Sequence, residues 1–310
     1  MSNYNFTIII PCINEYQNIR NIYQNISSLN LNKKYNYYFL YVDDGSTDGT
    51  WDEIKKLKKE NKEKITGLKL SKNFGKDIAI SAAMKNLKDN IDFAIIMDCD
   101  GQHPYEYIND FINEWENGYE AVITRRTNTT ENFLREVGSA VFYKIINNYT
   151  DLKFITKSLD FMLIDKKIID KFNSFKEKRK SLRATISLLN PKIKVLDITI
   201  KKRMYGESKY RIFSLTRYGF SIFTSFSIIP IKITGYFGFF SLILSTTILL
   251  TSIVLKFFFH WNITLNTILL IFNTFIFSIL LVSTSFLGIY ITKILENTNE
   301  RPEYIINEEL

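Results

Sequence analysis

Two carboxylates, Asp98 and Asp100, follow directly on the apolar run Phe93-Ala94-Ile95-Ile96-Met97. The run reads as a buried strand. Side chains alternate along a strand, so positions 98 and 100 face the same way while Cys99 turns back toward the core. Gly101 permits a sharp turn, and Gln102, His103 and Pro104 follow. Two carboxylates, with an amide oxygen from Gln102, are hard ligands suited to a divalent ion that keeps its other positions for water or phosphate oxygens. Such an ion stabilises negative charge developing on a departing phosphate. A bare Asp-x-Asp is also a common turn and capping device, so the pair alone does not decide. His103, in a loop beside Pro104, is expected at the surface rather than among the ligands.

Asp43 and Asp44 close a second apolar run, Tyr37 to Val42, ahead of the polar loop Gly45-Ser46-Thr47-Asp48-Gly49. A carboxylate there can accept N–H bonds from a nucleobase or hold a ribose hydroxyl; the same residues also make an ordinary turn cluster. Lys72 and Lys76 fit either phosphate contacts or a solvated face.

The elements that must carry these residues alternate. Phe6 to Ile10 reads as a strand stopped by Pro11, and the spacing of Ile19, Ile22, Ile26 and Leu29 predicts a helix over 18–29. Further strands are expected at 37–42, 66–70 and 93–97, with helices near 51–62 and 78–86. Alternating strands and amphipathic helices argue for a mostly parallel sheet covered on both faces, with ligands beyond the carboxyl ends of its strands. The segments Asn14-Glu15, Asp43-Asp44, Lys72 to Lys76 and Asp98 to Gln102 all fall at such ends. Ala121 to Thr124, Leu159 to Asp165 and Val195 to Lys201 are read as later strands, and Arg125 to Asn132 as a mobile loop.

Hydrophobic residues make up 46% of the 310-residue chain and are concentrated near its end. No charge interrupts Ile233 to Leu255 or Phe257 to Thr292. Each stretch exceeds the roughly 20 residues needed to span a bilayer, so two helices turning at His260-Trp261-Asn262 are expected, with both ends on one side. Residues 176–232 hold fourteen Lys or Arg against three acids, more than the chain's net +8 requires. Immediately before a membrane hairpin, this stretch fits lipid headgroups and phosphorylated ligands better than nucleic acid, and it places the soluble part in the cytosol. Tyr210 to Ile229 reads as helix lying in the membrane interface. Cys12 and Cys99 read as small reduced core residues, and Met1 to Asn5 has no signal-peptide pattern.

In order along the chain stand Pro11-Cys12-Ile13-Asn14-Glu15, Val42-Asp43-Asp44-Gly45-Ser46-Thr47-Asp48-Gly49-Thr50, Asn73-Phe74-Gly75-Lys76, Asp98-Cys99-Asp100-Gly101-Gln102-His103-Pro104, and Arg203 with Gly206-Glu207-Ser208-Lys209-Tyr210. With the two apolar stretches and Arg301-Pro302-Glu303-Tyr304, the chain resembles family 2 glycosyltransferases of the polyprenyl-phosphate group. That group includes bactoprenol glucosyltransferases and dolichol-phosphate mannosyltransferases. The resemblance implies a GT-A fold and inverting transfer of one sugar from a nucleotide sugar, a UDP-hexose or UDP-N-acetylhexosamine ahead of GDP-mannose, to polyprenyl (undecaprenyl) phosphate. It implies Mg²⁺ or Mn²⁺ held by Asp98, Asp100 and Gln102, and nucleotide contacts from Pro11, Asn14, Glu15, Asp44 and Asp43, with Lys76 beside them. Arg125, Arg203, Ser208 and Lys209 become the candidates for the acceptor phosphate. Asp98, Asp100, Arg125 and Asp160 are the candidate catalytic residues, Asp160 touching the donor sugar or orienting a cation. An acceptor phosphate is already ionised near neutral pH, so no strong general base is expected.

The resemblance also sets the layout: a GT-A domain over 1–209, interfacial helices over 210–232, two transmembrane helices over 233–292 and a cytosolic tail over 293–310. A bacterial cytoplasmic membrane location follows, with a homo-oligomer allowed and no nucleic-acid partner. Three departures stand out: Met162 replaces the usual Arg, Asn128 aligns with a common basic residue, and Lys72 replaces a common Arg. An uncharged side chain cannot replace a guanidinium at a phosphate site. A membrane scaffold retaining the fold without catalysis is the competing reading.

Overall fold

The computed structural model describes residues 4–127, 155–178, 180–200, 229–259, 264–299 and 302–310. The chain divides into two compact units, Met1–Arg211 with Arg301–Leu310, and Ile212–Glu300.

The first unit is built on repeated strand-helix pairs. In order come β1 (Tyr4–Cys12), α1 (Tyr16–Ser27), β2 (Tyr35–Asp43), α2 (Thr50–Glu60), β3 (Ile65–Leu70), α3 (Lys76–Lys85) and β4 (Phe93–Ile96). They are followed by α4 (Ile108–Glu116), β5 (Ala121–Arg126), β6 (Ser158–Asp165), α5 (Lys166–Ser174), α6 (Leu182–Leu189) and β7 (Ile193–Ile198). A last strand, β8 (Ile306–Glu309), completes an eight-stranded sheet in the order β7-β5-β6-β4-β1-β2-β3-β8. The central strands β4, β1, β2 and β3 are parallel, while β6 and β8 run against their neighbours.

Strand alternation sorts the core into two layers. Phe6, Ile8, Ile10, Phe93, Ile95 and Phe161 pack with α1, α2 and α4, whereas Ile9, Ala94, Ile96 and Met162 pack with α3, α5 and α6. Each fully buried Ile or Phe contributes roughly 1.5–3 kcal/mol, so a one-residue slip of register would be heavily penalised.

Three local expectations are corrected. Pro11 does not stop β1, which runs to Cys12 and pairs Pro11 with Val42. The Met97 N–H bonds to Ile9 O, so the backbone of odd residues in β1 faces β4; at position 11 β4 has already ended, and proline's missing N–H costs no ladder bond. β4 ends at Ile96, one residue short of the expected 93–97, and Asp98 follows beyond the strand as expected. β5 continues through Arg126, tied to β7 by the pairs Arg125↔Asp197 and Arg126↔Ile198, where a loop from residue 125 was expected.

The second unit contains α7 (Ile229–Phe259) and α8 (Leu265–Thr298), packed on one another. Among the described residues one window, Phe275–Thr292, is long and apolar enough to cross a membrane, with mean hydropathy 2.0 and none of it buried. Three of its hydroxyls are satisfied within the helix: Thr284, Ser285 and Thr292 donate to the carbonyls of Leu280, Leu281 and Gly288 at 2.8–3.0 Å. The expected turn at 260–262 and interfacial helix over 210–228 lie outside the described residues.

Residues after α8 return to the first unit. β8 pairs antiparallel with β3, Glu308 accepts a 2.9 Å bond from Trp51 Nε1 and meets Lys55 at 2.6 Å, and Glu303 accepts a 3.1 Å bond from Ser81 Oγ.

Candidate active site

The carboxyl ends of β1, β2, β4 and β5 and the start of the antiparallel β6 share one sheet edge, and each brings polar residues there. The edge has two halves of different construction.

Around β1 and β2 the contacts are mostly to backbone. Asp44 is buried, and its carboxylate accepts from Phe74 N at 2.7 Å and Gly75 N at 2.9 Å. Gly45 follows at φ +72°, where a Cβ would lie 2.3 Å from the carbonyl carbon of Lys72. Only glycine admits both the conformation and the approach. Asn14, at φ +49°, donates its N–H to Ser46 Oγ at 2.8 Å and accepts from Thr47 N on Oδ1 at 2.8 Å. Glu15 N donates to Thr50 Oγ1 at 2.9 Å, and the Glu15 carboxylate accepts from Asn18 Nδ2 at 2.6 Å. Pro11 is buried beneath them.

Asp43 differs from these neighbours. Its Oδ1 accepts from Ser46 N at 2.9 Å, but Oδ2 is buried without a protein partner. Burial raises the Asp43 carboxyl above the usual carboxylate range, partly offset by its bond to Ser46. An unpartnered buried carboxylate oxygen costs stability that a ligand N–H would recover.

Around β4 and β6 the contacts are between charged side chains. Lys76, the first residue of α3, forms ion pairs with Asp98 and, at 2.7 Å, with Asp160 near the start of β6. Asp160 is held in turn by Arg183 of α6, whose Nε and Nη2 lie 2.7 and 2.6 Å from Oδ1. Positions 160 and 162 share a face of β6, the face covered by α3 and α6, so Lys76 and Arg183 reach Asp160 from both helices. Burial pushes the Asp160 carboxyl up, but Arg183 and Lys76 outweigh it and hold it far below the usual range. Burial likewise lowers Lys76, and Asp160 and Asp98 outweigh it and raise the ammonium above its ordinary value.

Cys99 turns into the core as expected and Asp100 is largely buried, its Oδ1 accepting from Gln102 N at 3.0 Å. His103 is not at the surface: it is buried and stacked on Phe161 with ring centroids 5.1 Å apart. Its Nδ1 accepts from Asp98 N at 3.1 Å, which fixes the turn that presents Asp98, and burial lowers the imidazole's pKa. The sequence signal was available in the aromatic at 161, but nothing local paired it with residue 103.

Among the described residues no three of His, Cys, Asp and Glu converge as a metal cluster. The candidate ligand set has two such groups, and Asp98 already carries a cation in the Lys76 ammonium. That donor chemistry fits a hard cation.

Arg125 forms a two-pronged ion pair with Asp197 at 2.7 and 2.8 Å. Lys72 lies 5.2 Å above the Phe74 ring, and Met162 is core. Arg203, Ser208, Lys209 and Asn128 lie outside the described residues. Arg183 was not singled out by sequence reasoning. It sits among fourteen basic residues with no motif of its own, and only the packing of α6 beside β6 distinguishes it.

The family model for glycosyl transferase family 2 matches residues 7–172. The chain belongs to that family. It is 31% identical to the Bacillus subtilis protein YkcC, an uncharacterised glycosyltransferase, over 98% of this chain and 93% of that one. A bactoprenol glucosyl transferase of Shigella phage SfV is 26% identical over 98% of both chains. Among solved structures, glucosyl-3-phosphoglycerate synthase from Mycobacterium tuberculosis with Mn²⁺, UDP-glucose and glycerol 3-phosphate is similar with a TM-score of 0.49 and 12% identity, over 71% of this chain and 78% of that one. As a family 2 member with a GT-A-like sheet, the protein is a glycosyltransferase that draws on a nucleotide sugar.

Proposed function

We propose that this glycosyltransferase moves a single sugar, with inversion, from a UDP-hexose or UDP-N-acetylhexosamine to undecaprenyl phosphate at the cytosolic face of a bacterial cytoplasmic membrane. The observation that carries the reading is the meeting, at one sheet edge, of the unpartnered Asp43 oxygen and the cation-binding carboxylates Asp98 and Asp160. End-to-end similarity to a bactoprenol glucosyl transferase supports the lipid acceptor.

Asp43 Oδ2 takes an N–H of the nucleobase, while Asp44 holds the turn at 74–75 beside it. The first N–H groups of α3 favour the negative charge of the donor's phosphates, with Lys76 at their head. Asp98, Asp100 and Gln102 would hold Mg²⁺ or Mn²⁺, which when bound neutralises charge on the departing diphosphate. Asp160, fixed by Arg183, orients the Lys76 ammonium beside the donor. Arg125, Arg203, Ser208 and Lys209 orient the acceptor phosphate, one of whose oxygens attacks the anomeric carbon as the bond to the diphosphate breaks. That oxygen is already ionised, so positioning replaces a general base.

Chain connectivity supports a two-span membrane anchor. Residues on both sides of α7 and α8 belong to one compact unit, so the segment between them must cross a bilayer an even number of times. The apolar window in α8 then needs a second crossing, which we assign to α7. The basic stretch before α7 favours the cytosolic side for that unit.

Purified full-length protein should convert undecaprenyl phosphate to a glycolipid with one sugar from a panel of UDP-glucose, UDP-galactose, UDP-N-acetylglucosamine and GDP-mannose, in the presence of Mn²⁺. A product from GDP-mannose alone would reassign the donor. No glycolipid from any donor would favour a scaffold.

A further inference from the structure

Lys76 occupies an unusual position for a lysine expected to meet phosphates. Its ammonium is shared between Asp98, a proposed metal ligand, and Asp160, which is not one. Asp160 is anchored on its other oxygen by Arg183, and Asp98 is anchored through its backbone N–H to His103. The Asp160 carboxylate and the backbone that carries Asp98 are thus fixed from outside, and the lysine between the two acids sits on a flexible four-carbon stem. An ammonium and a divalent ion on the same carboxylate repel one another, and each lowers the other's affinity for it.

We propose that Lys76 is a displaceable counter-cation: a divalent ion binding at Asp98 drives its ammonium onto Asp160, where it faces the donor's diphosphate. This inference rests on the metal assignment to Asp98. It gives Asp160 and Arg183 a positioning role, retaining the displaced lysine at the site. Metal and nucleotide then bind with positive coupling, because the ion that releases Lys76 from Asp98 makes its charge available to the phosphates.

Mn²⁺ titration of the full-length protein in detergent, followed by electron paramagnetic resonance without nucleotide, tests the displacement. Lys76→Met should bind Mn²⁺ about tenfold more tightly than the natural protein, a gain that general structural damage would not produce. Asp98→Asn should weaken binding, and the Lys76→Met gain should vanish in the Asp98→Asn background, since the two residues act through one contact. Lys72→Met removes the same charge nearby and should change affinity by less than about threefold. Lys76→Arg should restore the weaker, natural affinity.

With UDP present, the natural protein's Mn²⁺ affinity should rise further than that of Lys76→Met. Unchanged or weaker Mn²⁺ binding in Lys76→Met, while Asp98→Asn still weakens it, would overturn the displacement and leave the metal site standing. A gain that persists without the Asp98 carboxylate would also overturn it. If Asp98→Asn and Asp100→Asn bind Mn²⁺ as the natural protein does, the metal assignment itself falls and the proposal with it.

Discussion

The two halves of the sheet edge hold their residues by different means. Beside β1 and β2, carboxylates and amides are tied to backbone N–H groups: Asp44 to Phe74 and Gly75, Asn14 to Thr47, Asp43 to Ser46. Beside β4 and β6, side-chain charges hold one another through Lys76, Asp160 and Arg183. Backbone bonds fix a shape before any ligand arrives, whereas an ion pair made by a long, flexible side chain can change partners without moving the backbone. A pocket for the unreacting nucleotide gains from the first arrangement. A centre where charge must shift during reaction gains from the second.

The largest expected effect breaks the charged half. Asp100→Ala should lower turnover by about a thousandfold or more, as expected for losing a group that supports leaving-group charge, with the melting temperature largely retained. Activity close to that of the natural protein would remove Asp100 from the metal set.

Gly45→Ala attacks the backbone-built half. Its Cβ would collide with the Lys72–Asn73 backbone at 2.3–2.7 Å, so the cost should be about 3 kcal/mol or more in chemical denaturation, with nucleotide binding lost alongside. A mild effect would show that the loop yields and is not preformed.

Asp43→Asn separates stability from binding within that same half. Burial raises the Asp43 carboxyl, so the folded state binds this proton more tightly than the unfolded chain does. The stabilising contribution is therefore present at acid pH and is lost as pH rises through the folded-state value. At pH 7 the variant should be as stable as the natural protein or more so, by about 1 kcal/mol, and the difference should close as pH falls toward about 4. Its affinity for UDP, measured by calorimetry, should nevertheless fall about tenfold or more. Equal affinities would move base recognition elsewhere.

The smallest effect lies far from the reacting atoms. Glu308→Gln keeps an acceptor for Trp51 but loses the charge facing Lys55, a solvent-screened pair, and should leave both the melting temperature and turnover close to those of the natural protein.

Much of this edge was legible because parallel strands announce themselves as short apolar runs and their ends as acids and glycines. Asp43, Asp44, Asp98 and Lys76 each lie within a few residues of such an end. What stayed hidden depends on packing between distant segments. Arg183 reaches Asp160 across 23 positions, and β8 joins β3 only after the chain has passed through α7 and α8. His103 looked like a loop residue because nothing near it in sequence shows that Phe161 stacks on its ring. Pro11 looked like a strand terminator because the ending of β4 beside it is a tertiary fact.

The most direct measurement is mass spectrometry of the lipid product after incubating purified full-length protein with undecaprenyl phosphate, a UDP-sugar and Mn²⁺. A single-sugar lipid phosphate formed in step with UDP release, and absent with Asp100→Ala, is the predicted result. UDP release with no sugar on the lipid, or a product equally abundant with Asp100→Ala, would contradict it.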